Sequence, residues 1–478
     1  MNTPLKFSIA LLGALLCSAA PAAPRSGAID SIVLSEMKRQ SIPAVGIAVV
    51  RNGYIVRTKG YGFSNVEHKV RATELTFFQT ASVGKQFTAA LVMLLARDGK
   101  LSLDDPVSKH LSGTPESWKG ITIRHLLTHT SGIGRTDDSI DLRKDYTEQQ
   151  LLESAYKVPT VSLPGLKHEY SNLGYQVLGF LCSRVGGKFW GDQLRERVFG
   201  PLGMRARVIS ERDIVPNRAA GYDRYDGELE NQAWVAPSQN TTADGSLYVT
   251  SQDMARWSLA LDGERILTKR EKEAMWTRAS LSTGQAADYG FGWKLFSEAG
   301  RRIVRHRGDW QGFTSHIIHL PEDRLTITVL MNRARGQPHV IADRIAELYV
   351  PALRKPAVQS PSIASLARTP LFLRGAVNDW KASLPFVQVA PGLLQAQLEL
   401  PAGMQQFKVG AQDWKVAALG ARFDEAVVRP GRAQALEHEG EDLFLQAETA
   451  GSYLFELDLR DTKKALLRVI PQTGTRRP

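Results

Sequence analysis

The tightest constraint on what this 478-residue chain can fold into lies between Phe78 and Leu95. That stretch is apolar almost all round, as a buried helix is, and Asp98-Gly99 supplies its C-terminal stop. Ser82 falls at the start of this helix, and Lys85 lies one turn later on the same face. A buried lysine is costly unless its charge is partnered or its amine is neutral. A neutral amine there can take the proton of the Ser82 hydroxyl, and the helix N-terminus favours the negative charge that develops. The plainer alternative is a capping serine with a snorkelling lysine. The S-x-x-K pattern is cheap by itself, recurring at Ser35/Lys38 and Ser154/Lys157. Those two copies sit in charged amphipathic segments where a lysine is simply solvated.

Two further motifs follow in order. Tyr170-Ser171-Asn172 is the only Y-x-N in the chain. His306-Arg307-Gly308 follows the β-like run Arg302–Arg305 and precedes Asp309-Trp310-Gln311-Gly312-Phe313. H-x-G recurs at His438/Gly440, and Lys408-Val409-Gly410 mimics K-x-G, so only the ordered trio is informative. His306 read alone is equally a buried structural histidine. His125 and His129 have the i, i+4 spacing of zinc ligands but lack the glutamate of H-E-x-x-H. His316 and His319 fall on opposite faces of an alternating strand and make a poor metal pair. No metal or organic cofactor is expected.

The ends of the chain differ from its middle. Residues 1–22 read as a secretory leader: Lys6, an apolar run from Phe7 to Cys17, then Ala20-Pro21-Ala22 as a cleavage site. Leu16 before Cys17 argues against lipidation, and no segment reaches the ~20 apolar residues of a membrane span. The expected location is secreted or periplasmic. Removing the leader leaves Cys182 as the only cysteine, so no internal disulfide can form. Near residue 356 the helical pattern of Val340–Val350 gives way to Pro356, Ser360, Pro361 and Ser362, a linker. Beyond it, short apolar stretches such as Leu393–Leu400 and Ser452–Leu459 alternate with Gly and Pro turns, the pattern of a small all-β sandwich. The expected domains are a leader (1–22), a catalytic domain (23–355) and a β-module (356–478). Nearly all of the net charge of +11 lies before residue 356. For an exported protein that points to an anionic wall or a carboxylate-bearing peptide rather than nucleic acid.

The ordered motifs and their surroundings resemble the serine β-lactamase and penicillin-binding protein superfamily. The nearest branch holds class C β-lactamases, D-alanyl-D-alanine carboxypeptidases, D-aminopeptidases and related esterases. The likeness runs over roughly residues 28–352, through Leu126-Leu127-Thr128-His129-Thr130-Ser131-Gly132, Pro201-Leu202-Gly203-Met204 and Tyr289-Gly290-Phe291-Gly292-Trp293. It implies an α/β (α+β) fold, an antiparallel sheet flanked by helices plus a helical subdomain. It implies Ser82 as the nucleophile of an acyl-enzyme and Lys85 as its base, or as the group that holds a tyrosinate in that role. Tyr170 would relay the proton to the leaving group, and Asn172 would bond Lys85 and the acyl side chain. His306 would keep a positive or donor group beside Tyr170. Gly308 would let substrate lie along an edge strand, and the N–H groups of Ser82 and Asp309 would form the oxyanion hole. Arg307 departs from the small residue usual at its position. As a charge on the rim it would disfavour β-lactams and favour D-amino-acid peptides or esters.

The segment Leu371–Trp380 resembles the opening of glycogen- and starch-binding immunoglobulin-like modules, and the likeness continues to Asp413-Trp414. It implies Trp380, Lys408 and Trp414 as a carbohydrate or peptidoglycan site; the alternative is a sandwich that kept only its core aromatics. The sequence thus describes an exported serine hydrolase, first on D-alanyl peptides of the cell wall (D,D-carboxypeptidase or D-aminopeptidase type), then on esters, then on β-lactams. Its rival is a non-hydrolytic penicillin- or glycan-binding protein.

Overall fold

The computed structural model describes residues 26–135, 140–210, 212–225, 228–354, 361–421, 426–440 and 442–472. The leader assigned to residues 1–22 and the boundary at 355/356 lie outside them.

The N-terminal unit opens with helix α1 (Ser26–Gln40) and strands β1 (Ala44–Arg51), β2 (Tyr54–Asn65) and β3 (Val70–Arg71). A helical region follows, with α2 (Lys85–Arg97), α3 (Ile123–Leu127), α4 (Glu148–Lys157) and α5 (Asn172–Gly186), then α6 (Ser251–Asp262). The chain returns to the sheet through β4 (Lys294–Glu298), β5 (Arg301–Trp310), β6 (Phe313–Leu320) and β7 (Leu325–Met331), and closes with α7 (Pro338–Tyr349). The seven strands pair in the order β4-β5-β6-β7-β1-β2-β3, all antiparallel.

This sheet is covered on both faces, which explains why β1 is apolar at consecutive positions rather than alternately. Val45, Ile47 and Val49 join one core with Ile29 and Val33 of α1 and Ile341 and Ile345 of α7. Ala44, Ala48 and Val50, pointing the other way, join a second core with α2 and α6. The mixed sheet-and-helix architecture is the expected one. The second core runs on into the helical region through Phe87, Leu91, Leu126, Leu178 and Trp257. The candidate site lies on this side.

The C-terminal unit is all-β, as expected, and has its own core, including Leu373, Phe407, Val409, Leu445, Phe455 and Leu467. Its eleven strands are joined by hydrogen bonds into one branched sheet. The strand Gly403–Gly410 is the branch point, pairing with three different strands along its length. Among the described residues no helix is long and apolar enough to cross a membrane.

Candidate active site

Ser82 sits in a 3₁₀ turn, Ala81–Gly84, that runs directly into α2. The preceding residue, Ala81, holds φ at 45°, a left-handed conformation that a side chain disfavours, and the backbone of Gly245 packs against it. Thr80 ties the turn down: its N–H and its hydroxyl both donate to the Leu247 carbonyl, at 2.7 and 3.0 Å.

Lys85 is fully buried. Its Nζ lies 3.0 Å from Ser82 Oγ and donates to Asn172 Oδ1 at 2.8 Å and to the Asp244 carbonyl at 2.6 Å. The last two partners can only accept, so they fix two N–H directions of the amine. The third tetrahedral direction points at Ser82. In the neutral amine that direction is the lone pair, correctly aimed for the hydroxyl proton. Asn172 is presented here because Ser171 caps α5: its hydroxyl accepts from Gly174 N–H and donates to the Gly134 carbonyl.

Tyr170 contributes its ring. The ring centroid is 5.1 Å from Lys85 Nζ and 4.2 Å from the His129 ring, and its hydroxyl is buried without a hydrogen-bond partner. His129 is locked as a neutral tautomer. Its Nδ1 accepts from the Ser171 N–H at 3.1 Å, which leaves the proton on Nε2, and burial holds its pKa well below the usual value. His125 spends its Nδ1 on the Thr122 N–H in the cap of α3. Among the described residues no group of three or more His, Cys, Asp or Glu side chains could hold a metal ion.

Of the two roles expected of His306, a positive or a donor group beside Tyr170, its surroundings speak against the positive one. It is buried, and its Nδ1 lies 2.6 Å from the Arg307 carbonyl, which can only accept. Nδ1 therefore carries the proton, and Nε2 receives the Tyr289 hydroxyl at 2.8 Å. Burial first, then the charge of Lys85, pushes its pKa down to about 3. It is a neutral ring 6.0 Å from Tyr170, held by Tyr289, and not a positive neighbour. Tyr289, Tyr175 and His129 complete an aromatic box under the lysine that motif spacing could not reveal, since its members come from separate elements.

Gly308 is required for a nearer reason than substrate access. A Cβ there would lie 2.3 Å from the Thr80 carbonyl oxygen and 2.5 Å from Ser315 Oγ. The strand thus touches the nucleophile turn. It is not the outer strand, but β4 pairs only with Arg301–Arg305, so on that side His306–Trp310 has no strand neighbour among the described residues. Arg307 faces away from His306, as strand alternation dictates. Its guanidinium grips the Asp309 carboxylate at 2.6 and 2.7 Å and approaches His339 of α7. It is therefore not the charge on the rim that its position in the motif suggests.

A cavity of about 190 Å³ opens onto Ser82 and is walled by Asn172, Asp244, Asp309 and Trp310. Asp244 went unremarked in the sequence, where Ala243-Asp244-Gly245 carries only a turn signal.

Two of the three residues expected to bind carbohydrate, Lys408 and Trp414, have side-chain partners within the unit. Arg374 stacks on the Trp414 ring at 3.8 Å and donates to the Trp380 carbonyl at 2.7 Å. Lys408 pairs with Asp442 at 2.9 Å. One face of Trp414 is thus taken by a guanidinium, and nothing in the cluster favours a sugar over it.

This fold, with a serine and a buried lysine in hydrogen-bond contact, defines a class, and the sequence agrees: residues 29–350 match the Beta-lactamase family. The chain belongs to that family and is a serine hydrolase. It is 29% identical over 338 residues to penicillin-binding protein 4* of Bacillus subtilis strain 168, covering 63% of this chain and 74% of that protein. It is 28% identical over 318 residues to Protein flp of Staphylococcus aureus strain MW2, of which it spans 62%, with 64% of this chain covered. The D-amino acid amidase of Ochrobactrum anthropi SV3, complexed with L-phenylalanine amide, superposes with a TM-score of 0.59 at 25% identity, over 69% of this chain and 99% of that one. The octameric penicillin-binding protein homologue of Pyrococcus abyssi covers 92% of this chain and 99% of its own at 22% identity (TM-score 0.62), a likeness of fold.

Proposed function

We propose that the chain hydrolyses amide bonds of D-amino-acid peptides or amides through an acyl-enzyme on Ser82, in the manner of a D,D-carboxypeptidase or D-aminopeptidase. The observation that carries this reading is the Ser82–Lys85–Asn172 chain of contacts at 3.0 and 2.8 Å. Lys85 accepts the hydroxyl proton as Ser82 Oγ attacks the carbonyl carbon, and the N–H groups of Ser82 and Asp309 receive the oxyanion. The proton then passes to the leaving amine, with Tyr170 as the group beside Lys85 best placed to carry it once its hydroxyl turns to the substrate. His306 and Tyr289 act as a neutral frame for Tyr170. Water repeats the sequence on the acyl-enzyme and releases the acid. The likeness to a D-amino acid amidase supports the amide reading. Ester hydrolysis uses the same groups and is the second reading. With Arg307 turned away, the expectation that its charge disfavours β-lactams loses its support.

A panel of D-alanyl peptides, D-amino acid amides, p-nitrophenyl acetate and a fluorescent penicillin tests the proposal. Mass spectrometry should find the adduct on the Ser82 peptide, and Ser82→Ala should lower turnover by about a thousandfold or more. Undiminished turnover by Ser82→Ala would remove the mechanism.

A further inference from the structure

The two N–H groups assigned to the oxyanion come from segments far apart in the chain, Ser82 from the nucleophile turn and Asp309 from β5. The hole therefore exists only while those segments keep one spacing. On one side of the pair the Ser315 hydroxyl, in register with Gly308, donates to the Thr80 carbonyl. On the other side stands Asn240, which is 1% exposed and closes the 3₁₀ turn Pro237–Asn240. Its Oδ1 accepts from Gln79 Nε2 at 3.0 Å and from Trp310 Nε1 at 3.0 Å. An indole N–H can only donate, so the Asn240 atom facing Trp310 is the carbonyl oxygen, and the Gln79 atom facing that oxygen is the amide nitrogen. Gln79 comes shortly before Ser82 in the chain, and Trp310 follows Asp309 directly. Both stand in the wall of the cavity that opens onto Ser82. The backbone beyond Asn240 is itself held at three carbonyls: Thr241 accepts from Trp190 Nε1, Ala243 from Thr88 Oγ1 and Asp244 from Lys85 Nζ.

We propose that Asn240 is a positioning residue for the oxyanion hole. One buried carbonyl oxygen sets the spacing between the segment that carries the Ser82 N–H and the segment that carries the Asp309 N–H. This rests on the hydrolase reading above and adds to it a residue outside the three motifs, which acts through its two neighbours rather than on the substrate. Without that oxygen the two donors lose their shared acceptor, and the segments are free to part. A small misplacement of this kind costs the transition state more than it costs ground-state binding.

The test uses the full-length protein, p-nitrophenyl acetate as substrate and phenylboronic acid as probe. Ser82 Oγ adds to the boron as its proton passes to Lys85, and the tetrahedral adduct sets a hydroxyl between the two N–H groups. Asn240→Leu, close in shape but without the oxygen, should lower kcat by about tenfold or more and weaken the boronate by a similar factor, with KM within about twofold. Trp310→Phe removes one of the two donors and keeps a ring in the wall; it should act in the same direction. In the Asn240→Leu background it should add little, since both changes break one link. Wild-type kcat and boronate affinity in folded Asn240→Leu would overturn the role of Asn240 and leave the hydrolase reading standing. Should Asn240→Leu fail to fold, unchanged boronate affinity in Trp310→Phe would overturn it equally. Fully additive losses in the double variant would also overturn it. Boronate binding by Ser82→Ala as tight as the wild type's would remove the hydrolase reading itself, and this role with it.

Discussion

Lys85 shows how one polar residue can be buried, fully partnered and useful together. Its two carbonyl acceptors come from different parts of the chain, Asn172 and Asp244, and leave one direction open towards Ser82. Asn172→Leu should therefore lower kcat by about a hundredfold, with the amine free to turn from Ser82; burst kinetics with a chromogenic ester would show it. Gly308 acts through space instead of chemistry. In Gly308→Ala the new methyl would meet the Thr80 carbonyl and push the strand from the nucleophile turn. The expected outcome is a loss of about a hundredfold in kcat/KM, with a folded protein by circular dichroism. Wild-type activity in Gly308→Ala would show that the close approach is not needed.

At the scale of elements, the site is a meeting of a helix start, a second helix start and a strand. Ser171 holds the second by capping α5 and bonding the Gly134 carbonyl. Ser171→Ala removes a cap and strands a buried acceptor, each worth about 1–2 kcal/mol, so urea titration should show a stability loss of about 2–4 kcal/mol. The strand's histidine depends on Tyr289 in the same way. Tyr289→Phe leaves His306 Nε2 without its donor, and the His306 pKa, readable by NMR, should move from its depressed value. The S-x-x-K and Y-x-N motifs were legible because each is local, set by one helix turn or one cap. The aromatic box and Asp244 were not, since their members meet only when the helical region closes on the sheet.

For the whole molecule, burial of histidines sets the acid limit. His306 and His319 have pKa values pushed down to about 3, and those of His129 and His316 lie well below the usual value, burial being the first cause in each. Their unfolded values lie near 6.5, so below that pH the unfolded chain binds protons that the fold refuses. Stability should therefore be full above pH 6.5 and fall as pH drops towards 3. Each such histidine contributes about 1.4 kcal/mol per pH unit in that window. Urea midpoints measured at pH 7, 6 and 5 check this; a flat profile would contradict it. The C-terminal unit has a core separate from the other two. Calorimetry should accordingly resolve two unfolding transitions, and a single cooperative one would show that the units are coupled.

The sequence alone did not show that Phe78–Gln79 is a strand and that Ser82 lies in a 3₁₀ turn before the helix, but it determined the apolar helix that Lys85 begins, the order of the motifs, the family and the all-β character of the end of the chain. These follow from local periodicity and from residue types whose chemistry is scarce. Only the tertiary structure decided that His306 is a neutral acceptor held by Tyr289, that Arg307 turns to Asp309, and that Arg374 occupies the face of Trp414. It also decided that Asp244 stands in the cavity wall. Protonation and partnership depend on burial and on which distant segment arrives alongside, and neither is written in the spacing of a motif.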